Sequence, residues 1–513
     1  MRITNRIMTN NSLANINKNK VNLTKLEEQY NTGKKIQRPS DDPIIAVRAL
    51  KLRNNLTELN QYYEKNIPDA RSWMEVTESA LNQVNSLLTS MHTLCNQGSQ
   101  DTLNAEDRNS ILQTLIQYKD QIYQEGNSTY AGRYIFTGFK TDTPLAFLSD
   151  DNSTQYAITQ PLTFVDDVVN TEMLVNPYTD EDYVEGEDGD FSNPPELKEI
   201  HRIRLAYDRL DAPSDEYMPV LTYIDEEGEE QTIELTFETS EDSDDDDLNF
   251  VNSDKDAYLP KEGGANFIAG TGEIILSDEV YNNIMKSKSM SITYYKSEFA
   301  KNDLKPEHYF DCVATKYNTD RTELLKDESI TYIKEDQQIQ YEVSFNQKLT
   351  INTQASDSIN HAIGREIGDI EEAIGRIKPI ETYIASIDRK LNAATDEDEK
   401  KQLSDLKNQL QLQLDLANTK IQKTFEKALD FIVGVQETMN IAVADLGSRM
   451  VRLNLTEDRL STQQNEFEEL LSNNEDADLV DTIVRFNSQE VIYNASLKAT
   501  SQVVQNTLMD FIR

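Results

Sequence analysis

The amino-acid sequence predicts an α+β fold in which the N- and C-terminal segments form a long helical bundle around a β-rich central insertion. Three observations lead to this prediction. Near both ends, apolar residues recur every three or four positions, as on one face of a helix. From about residue 141 to about 350, short alternating runs are separated by acidic, turn-rich tracts. Helical sequence then returns, so the helices of the two ends must pack together.

The N-terminal region predicts one helix, then a turn, then further helices. Leu13, Ile16 and Leu23 belong to the apolar stripe of the first helix. The turn after it contains paired aspartates between two prolines, which end one helix and cap the next. Its residues are Arg38, Pro39, Ser40, Asp41, Asp42 and Pro43. Further helices are predicted at residues 44–59, 73–91 and 106–123.

The central region predicts strands with long acidic loops between them. The best strand lies at residues 339–345, where apolar and polar side chains alternate strictly. Other strands are predicted at residues 134–136, 233–237, 273–276 and 291–295.

The C-terminal third predicts helices again. Isoleucines from Ile363 to Ile387 step by three or four, and Pro379 should kink or split their helix. A polar turn at 392–399 and the restart at Leu403 predict a helical hairpin. Residues 446–471 keep the spacing of a coiled-coil seam. The final segment carries Leu497, Val504, Leu508 and Phe511 on one stripe.

Composition argues against several classes of partner. The 513 residues contain 50 Lys and Arg against 91 Asp and Glu, a formal net charge of −41, which repels nucleic acid and anionic lipid. No window approaches the roughly 20 apolar residues that cross a bilayer. The first 30 residues contain no apolar core of the signal-peptide type. We expect no nucleic-acid partner, no membrane partner, and either a cytoplasmic location or export without a cleaved signal.

No catalytic, cofactor or metal site is predicted. The four histidines are far apart in sequence, and Cys95 and Cys312 have no metal-ligand spacing. The acidic tracts at 180–190 and 242–247 lack the order of an EF-hand loop, so we interpret them as solvated loops. Whether they bind calcium stays open.

Both ends resemble the flagellin superfamily and, within it, the hook-associated junction proteins. Residues 1–5 and 33–36, the turn at 38–43 and the segment 134–141 carry the resemblance at the N-terminus. At the C-terminus it is carried by residues 443–449, 475–479 and 489–497, and by the ending at 508–512. The resemblance covers roughly residues 1–145 and 420–513; the central region matches nothing.

The resemblance implies a structural subunit that joins hook to filament. It implies an N-terminal assembly helix (1–40) and a C-terminal one (476–513), both disordered in the monomer. A helical core (41–140 and 351–475) and a β-rich outer region (141–350) complete the expected domains. The expected partners are copies of the chain in a ring, the hook-proximal junction protein, flagellin and a cytoplasmic export chaperone on the C-terminal helix. The expected location is the extracellular flagellum.

Apolar assembly contacts are expected from both terminal helices. Helices with narrow apolar stripes bury too little alone to offset their conformational entropy. The residues expected to pack between subunits are Leu13, Ile16, Leu23, Leu497, Val504, Leu508 and Phe511.

Three other interpretations remain open. A filament flagellin would share both terminal regions, although the turn at 38–43 and the ending at 511–513 disfavour it. A cytoplasmic coiled-coil adaptor would have ordered ends in the isolated protein. An enzyme carried in the central insertion would need a catalytic group of residues that the sequence does not show.

Overall fold

The computed structural model describes residues 5–101, 103–183, 193–214, 217–233, 235–236, 257–318, 321 and 324–511. Within this part the chain forms two compact units. We call residues 1–71, 341–349 and 451–513 the terminal unit, and residues 72–340 and 350–450 the central unit.

The α-helices lie in both units and dominate the two ends of the chain, in agreement with the predicted fold class. They are α1 Asn5–Thr32, α2 Pro43–Gln61, α3 Ile67–Gly98, α4 Ala105–Glu125, α5 Phe164–Asp167, α6 Asp278–Ile284, α7 Ile363–Gly375, α8 Ile377–Ala393, α9 Glu397–Glu475 and α10 Leu479–Phe511. None of these helices, over their described residues, is long and apolar enough to cross a membrane.

Capping residues fix where helices begin. Asp42 accepts hydrogen bonds from the backbone N–H groups of Ile44 (3.0 Å) and Ile45 (3.2 Å), and Pro43 occupies the first position of α2. Asn104 caps α4 in the same way, through the N–H of Asp107 at 2.8 Å. The sequence prediction of a stop-and-cap turn at 38–43 is therefore confirmed.

The isoleucine-rich segment is divided into two helices, as its proline predicted. The break lies at Arg376, between α7 and α8, and Pro379 falls in the first turn of α8, where a missing N–H costs no helical hydrogen bond. The helical hairpin is also present, because α8 ends at Ala393 and α9 begins at Glu397. Apolar side chains of the two helices form a buried cluster together with Tyr178. The helix residues of the cluster are Ile387, Leu403, Leu406 and Leu410.

The strands of the described residues lie between α4 and α7 in the chain, and the last two form a short hairpin. They are β1 Thr129–Tyr130, β2 Arg133–Tyr134, β3 Thr154–Leu162, β4 Val168–Val175, β5 Glu196–Arg204, β6 Val220–Ile224, β7 Glu230–Ile233, β8 Leu235–Thr236, β9 Ala265–Ile268, β10 Glu273–Leu276, β11 Ser289–Lys296, β12 Asp311–Lys316, β13 Ile330–Tyr332, β14 Gln340–Ser344 and β15 Gln347–Thr350.

Two larger sheets are formed within the central unit. One has the order β13-β12-β3-β11-β6-β7, and all its neighbours pair antiparallel. The other has the order β4-β5-β10-β9-β8, in which only β8 and β9 are parallel. These sheets confirm the β-rich central region.

The individual strand predictions vary in accuracy. The predicted strand at 273–276 coincides with β10, and those at 291–295 and 339–345 correspond to β11 and β14. The predicted strand at 233–237 falls on the end of β7 and on β8, with Glu234 and Phe237 outside the described residues. The strand predicted at 134–136 is limited to Tyr134 at the end of β2; Ile135 and Phe136 are buried in a turn instead.

Buried aromatic and aliphatic side chains hold the central unit together. Trp73, the one tryptophan of the chain, lies inside it on α3, beneath the guanidinium of Arg133 at 5.1 Å. Met91 on α3, Leu115 on α4 and Phe425 on α9 are also fully buried. Burying each such side chain contributes about 1.5–3 kcal/mol, so apolar packing between these helices stabilises the central unit.

Candidate assembly surfaces

The two terminal helices pack against each other along a heptad-spaced seam within the terminal unit. We call this set of half-buried and buried residues the inner seam. Steps of three and four residues alternate along α10, and along α1 as far as Leu26, which is the spacing of a two-stranded coiled coil. The inner seam consists of Thr9, Ser12, Ile16, Asn19, Leu23, Leu26 and Gln29 on α1, and of Thr482, Phe486, Gln489, Tyr493, Ser496 and Thr500 on α10.

The inner seam is unusually polar for a coiled coil. The Asn19 side-chain amide donates to Ser496 Oγ at 2.7 Å, and the Gln489 amide donates to the Asn19 backbone oxygen at 3.4 Å. Polar residues at such positions fix the register of two helices at a cost in stability. The pairing of α1 with α10 therefore has a defined register but a low stability.

Outside the inner seam, both helices expose large apolar side chains. We call this second set the outer faces. Isolated exposed apolar residues are normal, but a series of them along two adjacent helices indicates an interaction surface. The outer faces contain Ile7, Met8, Leu13 and Val21 on α1, and Val480, Ile483, Val484, Val491, Ile492 and Leu497 on α10.

The predicted assembly residues divide between these two surfaces. Leu13 (49% exposed) and Leu497 (42% exposed) lie on the outer faces. Ile16 and Leu23 lie in the inner seam, where they pack within the chain. The other predicted residues, Val504, Leu508 and Phe511, belong to α10, and their side chains lie outside the described part.

Two connecting segments join the terminal helices to the rest of the terminal unit, and they are paired with each other. We call residues 33–35 together with 475–477 the joint. The Lys35 N–H donates to the Glu475 oxygen at 2.6 Å, and the Ala477 N–H donates to the Gly33 oxygen at 2.8 Å. The chain thus leaves α1 and enters α10 through a two-sided backbone contact.

Ion pairs reinforce the joint. The Glu475 carboxylate is only 4% exposed and accepts from Arg53 Nη2 at 2.6 Å. The Lys34 ammonium lies 2.5 Å from Asp476, which raises the pKa of Lys34 and lowers that of Asp476 through their mutual hydrogen bond. Because Lys34 and Asp476 are exposed, their pair contributes little; the Arg53–Glu475 pair, with a buried carboxylate, contributes more.

The turn at 38–43 is held by its own aspartates. Asp41 accepts hydrogen bonds from the backbone N–H groups of Gln37 (3.1 Å) and Arg38 (2.9 Å). These bonds, the one from Arg38 foremost, lower the pKa of Asp41. The paired aspartates therefore have separate tasks: Asp41 closes the turn and Asp42 starts α2.

The hairpin of β14 and β15 contributes to the terminal unit, a placement that the sequence did not indicate. The Asn66 amide donates to the Glu342 backbone oxygen at 2.8 Å, and Tyr341 OH bonds to Asp69. On the other strand, Arg459 Nη2 donates to Gln347 Oε1 at 2.8 Å. Asn66 ends a π-helical turn, Tyr62–Asn66, and such a local irregularity has no apolar period by which it could be predicted.

Among the described residues, we examined one carboxylate cluster and the two cysteines as candidates for metal binding or nucleophilic catalysis. Three carboxylates come close enough together to bind a metal ion, those of Glu273, Asp369 and Glu372, but arginines are bonded to each of them. Burial raises the pKa of both cysteine thiols, Cys95 and Cys312, to about 12, which disfavours the reactive thiolate.

The two acidic tracts that raised the question of calcium fall largely outside the described residues. Residues 184–190 and 242–247 lie there, so the interpretation of these tracts as solvated loops stays a prediction.

Family comparison identifies the class of both terminal regions. The profile of the bacterial flagellin N-terminal helical region matches residues 3–141, and that of the flagellin C-terminal helical region matches residues 429–512. These matches contain α1 to α4 at one end, and the second half of α9 with α10 at the other. Both ends of the chain therefore match the terminal helical regions of bacterial flagellins.

Among individual proteins, the chain is similar to both junction proteins and filament proteins. It is 34% identical over 143 residues to flagellar hook-associated protein 3 of Salmonella typhimurium, which is 28% of this chain and 45% of that protein. It is 36% identical over 129 residues to a flagellin of Clostridium tyrobutyricum, which is 25% of this chain and 34% of that protein. The matches thus span less than half the length of these curated relatives.

A solved structure with a related name is the flagellar junction protein FlgL from Legionella pneumophila. It aligns with 84% of this chain and 100% of its own, at 10% sequence identity and a TM-score of 0.29.

Proposed function

We propose that the protein is a structural subunit of the bacterial flagellum that joins the hook to the filament, and that it catalyses no reaction. The observation that carries this proposal is the pair of flagellin helical regions, one at each end, with apolar outer faces that nothing in the chain covers among the described residues. The similarity to hook-associated protein 3, 34% identical over 143 residues, favours the junction.

The outer faces would be covered by neighbouring copies in the assembled structure. Leu13, Leu497, Val504, Leu508 and Phe511 would pack between subunits, while Ile16 and Leu23 would hold the terminal pair together. This division differs from the expectation that all seven pack between subunits, and it rests on the inner seam. The copies would form a ring around the flagellar axis.

The weak inner seam supports the proposal that residues 1–40 and 476–513 are disordered in the monomer. Each helix of the pair buries only one narrow, half-polar stripe, which does not offset the entropy of ordering about 1–2 kcal/mol per residue. Neighbouring copies would supply the missing apolar contacts. Residues 41–140 and 351–475 would then be the helical core, with 141–350 facing outward.

The remaining partners and the location follow from the same proposal. Below the ring would lie the hook-proximal junction protein, and above it flagellin. A cytoplasmic chaperone would cover the outer face of α10 before export, because exposed apolar faces invite premature association. The subunit would reach the extracellular flagellum without a cleaved signal peptide.

A filament flagellin is the second candidate, favoured by the similarity to the Clostridium tyrobutyricum protein. Deletion of the gene separates the two. If the protein joins hook to filament, cells keep their hooks and release unpolymerised flagellin into the medium. If it is the filament protein, no flagellin is released, and normal filaments on the deleted cells would refute both candidates.

A substitution on the outer face tests the assembly contacts themselves. Val491 is 68% exposed, so burying it against a neighbour would contribute about 1.4 kcal/mol, or roughly two thirds of the value for a fully buried valine. Val491→Asn should therefore weaken self-association of the purified protein about tenfold, measured by sedimentation.

The matched control is Asn487→Ser on the same exposed helix, which removes no apolar surface. It should leave self-association unchanged. Hydrogen exchange on the isolated protein gives a second test: α1 and α10 should exchange fast alone and slowly after assembly. Slow hydrogen exchange of α1 and α10 in the isolated protein would support the coiled-coil adaptor instead.

A further inference from the structure

A polar cavity of about 300 Å³ lies within the central unit, away from the terminal helices. Its wall is formed by β4 and β5 on one side and by α7 and α9 on the other. Lys420, Lys423 and Lys427 line it from one face of α9, with Asp369 from α7 and Arg202 from β5. Charged side chains therefore form much of the wall, together with apolar ones such as Met173 and Ile200.

The acidic side chains of the wall are already paired. Glu273 accepts from Arg202 at 2.6 Å and from Arg204 at 3.2 Å, and Asp369 accepts from Arg202 at 2.7 Å. These two arginines hold the pKa of Glu273 near 2 in spite of its burial.

Two further carboxylates at the wall are occupied in the same way. Glu172 pairs with Lys423 at 2.5 Å, and Glu372 pairs with Arg376 at 2.7 Å. Carboxylates that are bonded to arginine or lysine have little capacity left to bind a metal cation.

Two cations at the cavity lack a carboxylate partner among the described residues. The Lys427 ammonium is buried and makes no hydrogen bond to the described residues. The Lys420 ammonium donates to the Met173 sulfur at 2.9 Å, and Arg376 also points at that sulfur, at 3.5 Å. A thioether is a weak acceptor, so it does not satisfy two cationic groups.

Both lysines are costly to keep charged. Burial, followed by the charge of Arg376 for Lys420 and of Arg202 for Lys427, lowers the pKa of each lysine to about 8, although nearby carboxylates oppose the shift. Burying a charged lysine costs free energy unless an anion lies close to its ammonium group.

We infer that this cavity is a binding site for a small oxyanion, a carboxylate or a phosphate group, with Lys427 as its principal contact and Lys420 as a second cation. The anion would accept the hydrogen bonds that Lys427 lacks. This site is independent of the terminal helices and of the proposed assembly.

One alternative occupant comes from the chain itself. A carboxylate oxygen of Glu366 is also buried without a hydrogen bond, and its charge raises the pKa of Lys427. If Lys427 paired with Glu366 in solution, no ligand would be needed. The experiment must distinguish these two cases.

Isothermal titration calorimetry of the full chain with inorganic phosphate, and separately with acetate, tests the site. We expect saturable binding of at least one of the two anions. The anion that binds with the higher affinity shows whether the site prefers a phosphate group or a carboxylate. Lys427→Met should lower the affinity at least about tenfold, since a charge-assisted hydrogen bond is lost. Lys427→Arg should keep binding, which separates loss of charge from loss of fold.

Lys407→Met is the matched control, because Lys407 lies on the same helix α9, does not line the cavity and is paired with Asp388 at 2.6 Å. It should bind with about the wild-type affinity. Three results would overturn the inference: no saturable heat with either anion, equal affinity in Lys427→Met, or binding that is present only in Glu366→Gln. The last would mean that Glu366 occupies Lys427 in the native protein.

Discussion

His308 should make the stability of the central unit depend on pH. Its ring is buried, and Nε2 lies 3.1 Å from the Pro144 carbonyl oxygen, to which the neutral ring donates. Burial, together with the charges of Lys140, Lys305 and Lys334, lowers the pKa of His308 from 6.5 to about 3. In the folded protein the ring therefore stays neutral where an unfolded histidine becomes charged.

The sign of the effect follows from proton binding. Between pH 6.5 and about 3 the unfolded chain binds one more proton at His308 than the folded chain does, so the free energy of unfolding falls as the pH falls. The stability is complete above pH 6.5 and is lost at about 1.4 kcal/mol per pH unit below it. From pH 7 to pH 5 the loss due to His308 is about 2 kcal/mol.

The assay uses the single tryptophan. Trp73 belongs to the central unit, so its fluorescence during urea unfolding reports on that unit. His308→Gln keeps a donor for Pro144 but cannot become charged in this pH range. The variant should lose about 2 kcal/mol less than the wild type between pH 7 and pH 5.

A comparison with the wild type is needed because His361 acts in the same direction. Burial lowers the pKa of His361 to about 4. If His308→Gln lost as much stability as the wild type over this interval, the buried neutral ring would not be the cause and the reasoning would fail.

Two further substitutions have well-defined expectations. Gly272 has a φ of +64°, and an added Cβ would overlap with the Tyr207 backbone oxygen. Gly272→Ala should therefore destabilise the central unit by about 3 kcal/mol in the Trp73 assay; a loss below about 1 kcal/mol would show that the backbone there can move. Arg53→Met should leave the buried Glu475 carboxylate without its nearest cation and cost about 1.4 kcal/mol. Hydrogen exchange at residues 466–475 should become about tenfold faster, and unchanged exchange would mean that the ion pair contributes nothing.

The terminal helices were predictable because their apolar residues follow the helical period over many turns. Which surface each residue occupies was not predictable in the same way. Leu13 and Ile16 look equivalent in the sequence, yet Leu13 is exposed and Ile16 lies in the inner seam. More than half of the seam residues, such as Asn19 and Gln489, are polar and give no apolar signal in the sequence. A single sequence therefore shows that a helix needs partners, but not which partner covers which face.

The central unit was predictable only in its class. The pairing of β4, β5 and β10 joins segments far apart in the chain, and no local pattern encodes such pairs. The charged cavity was missed for a different reason: Arg202 and Glu273 look like solvent-facing positions of alternating strands, although both are buried. Burial of paired charges depends on the tertiary structure and cannot be seen in hydropathy.

The inner seam takes one half from residues 9–29 and the other from residues 482–500. Asn19 and Ser496, which are bonded across it, are 477 positions apart in the chain. During synthesis, α1 therefore leaves the ribosome long before α10 exists to pair with it. A product truncated before residue 482 would carry α1 without its partner helix, so the inner seam forms only in chains that have been synthesised through α10.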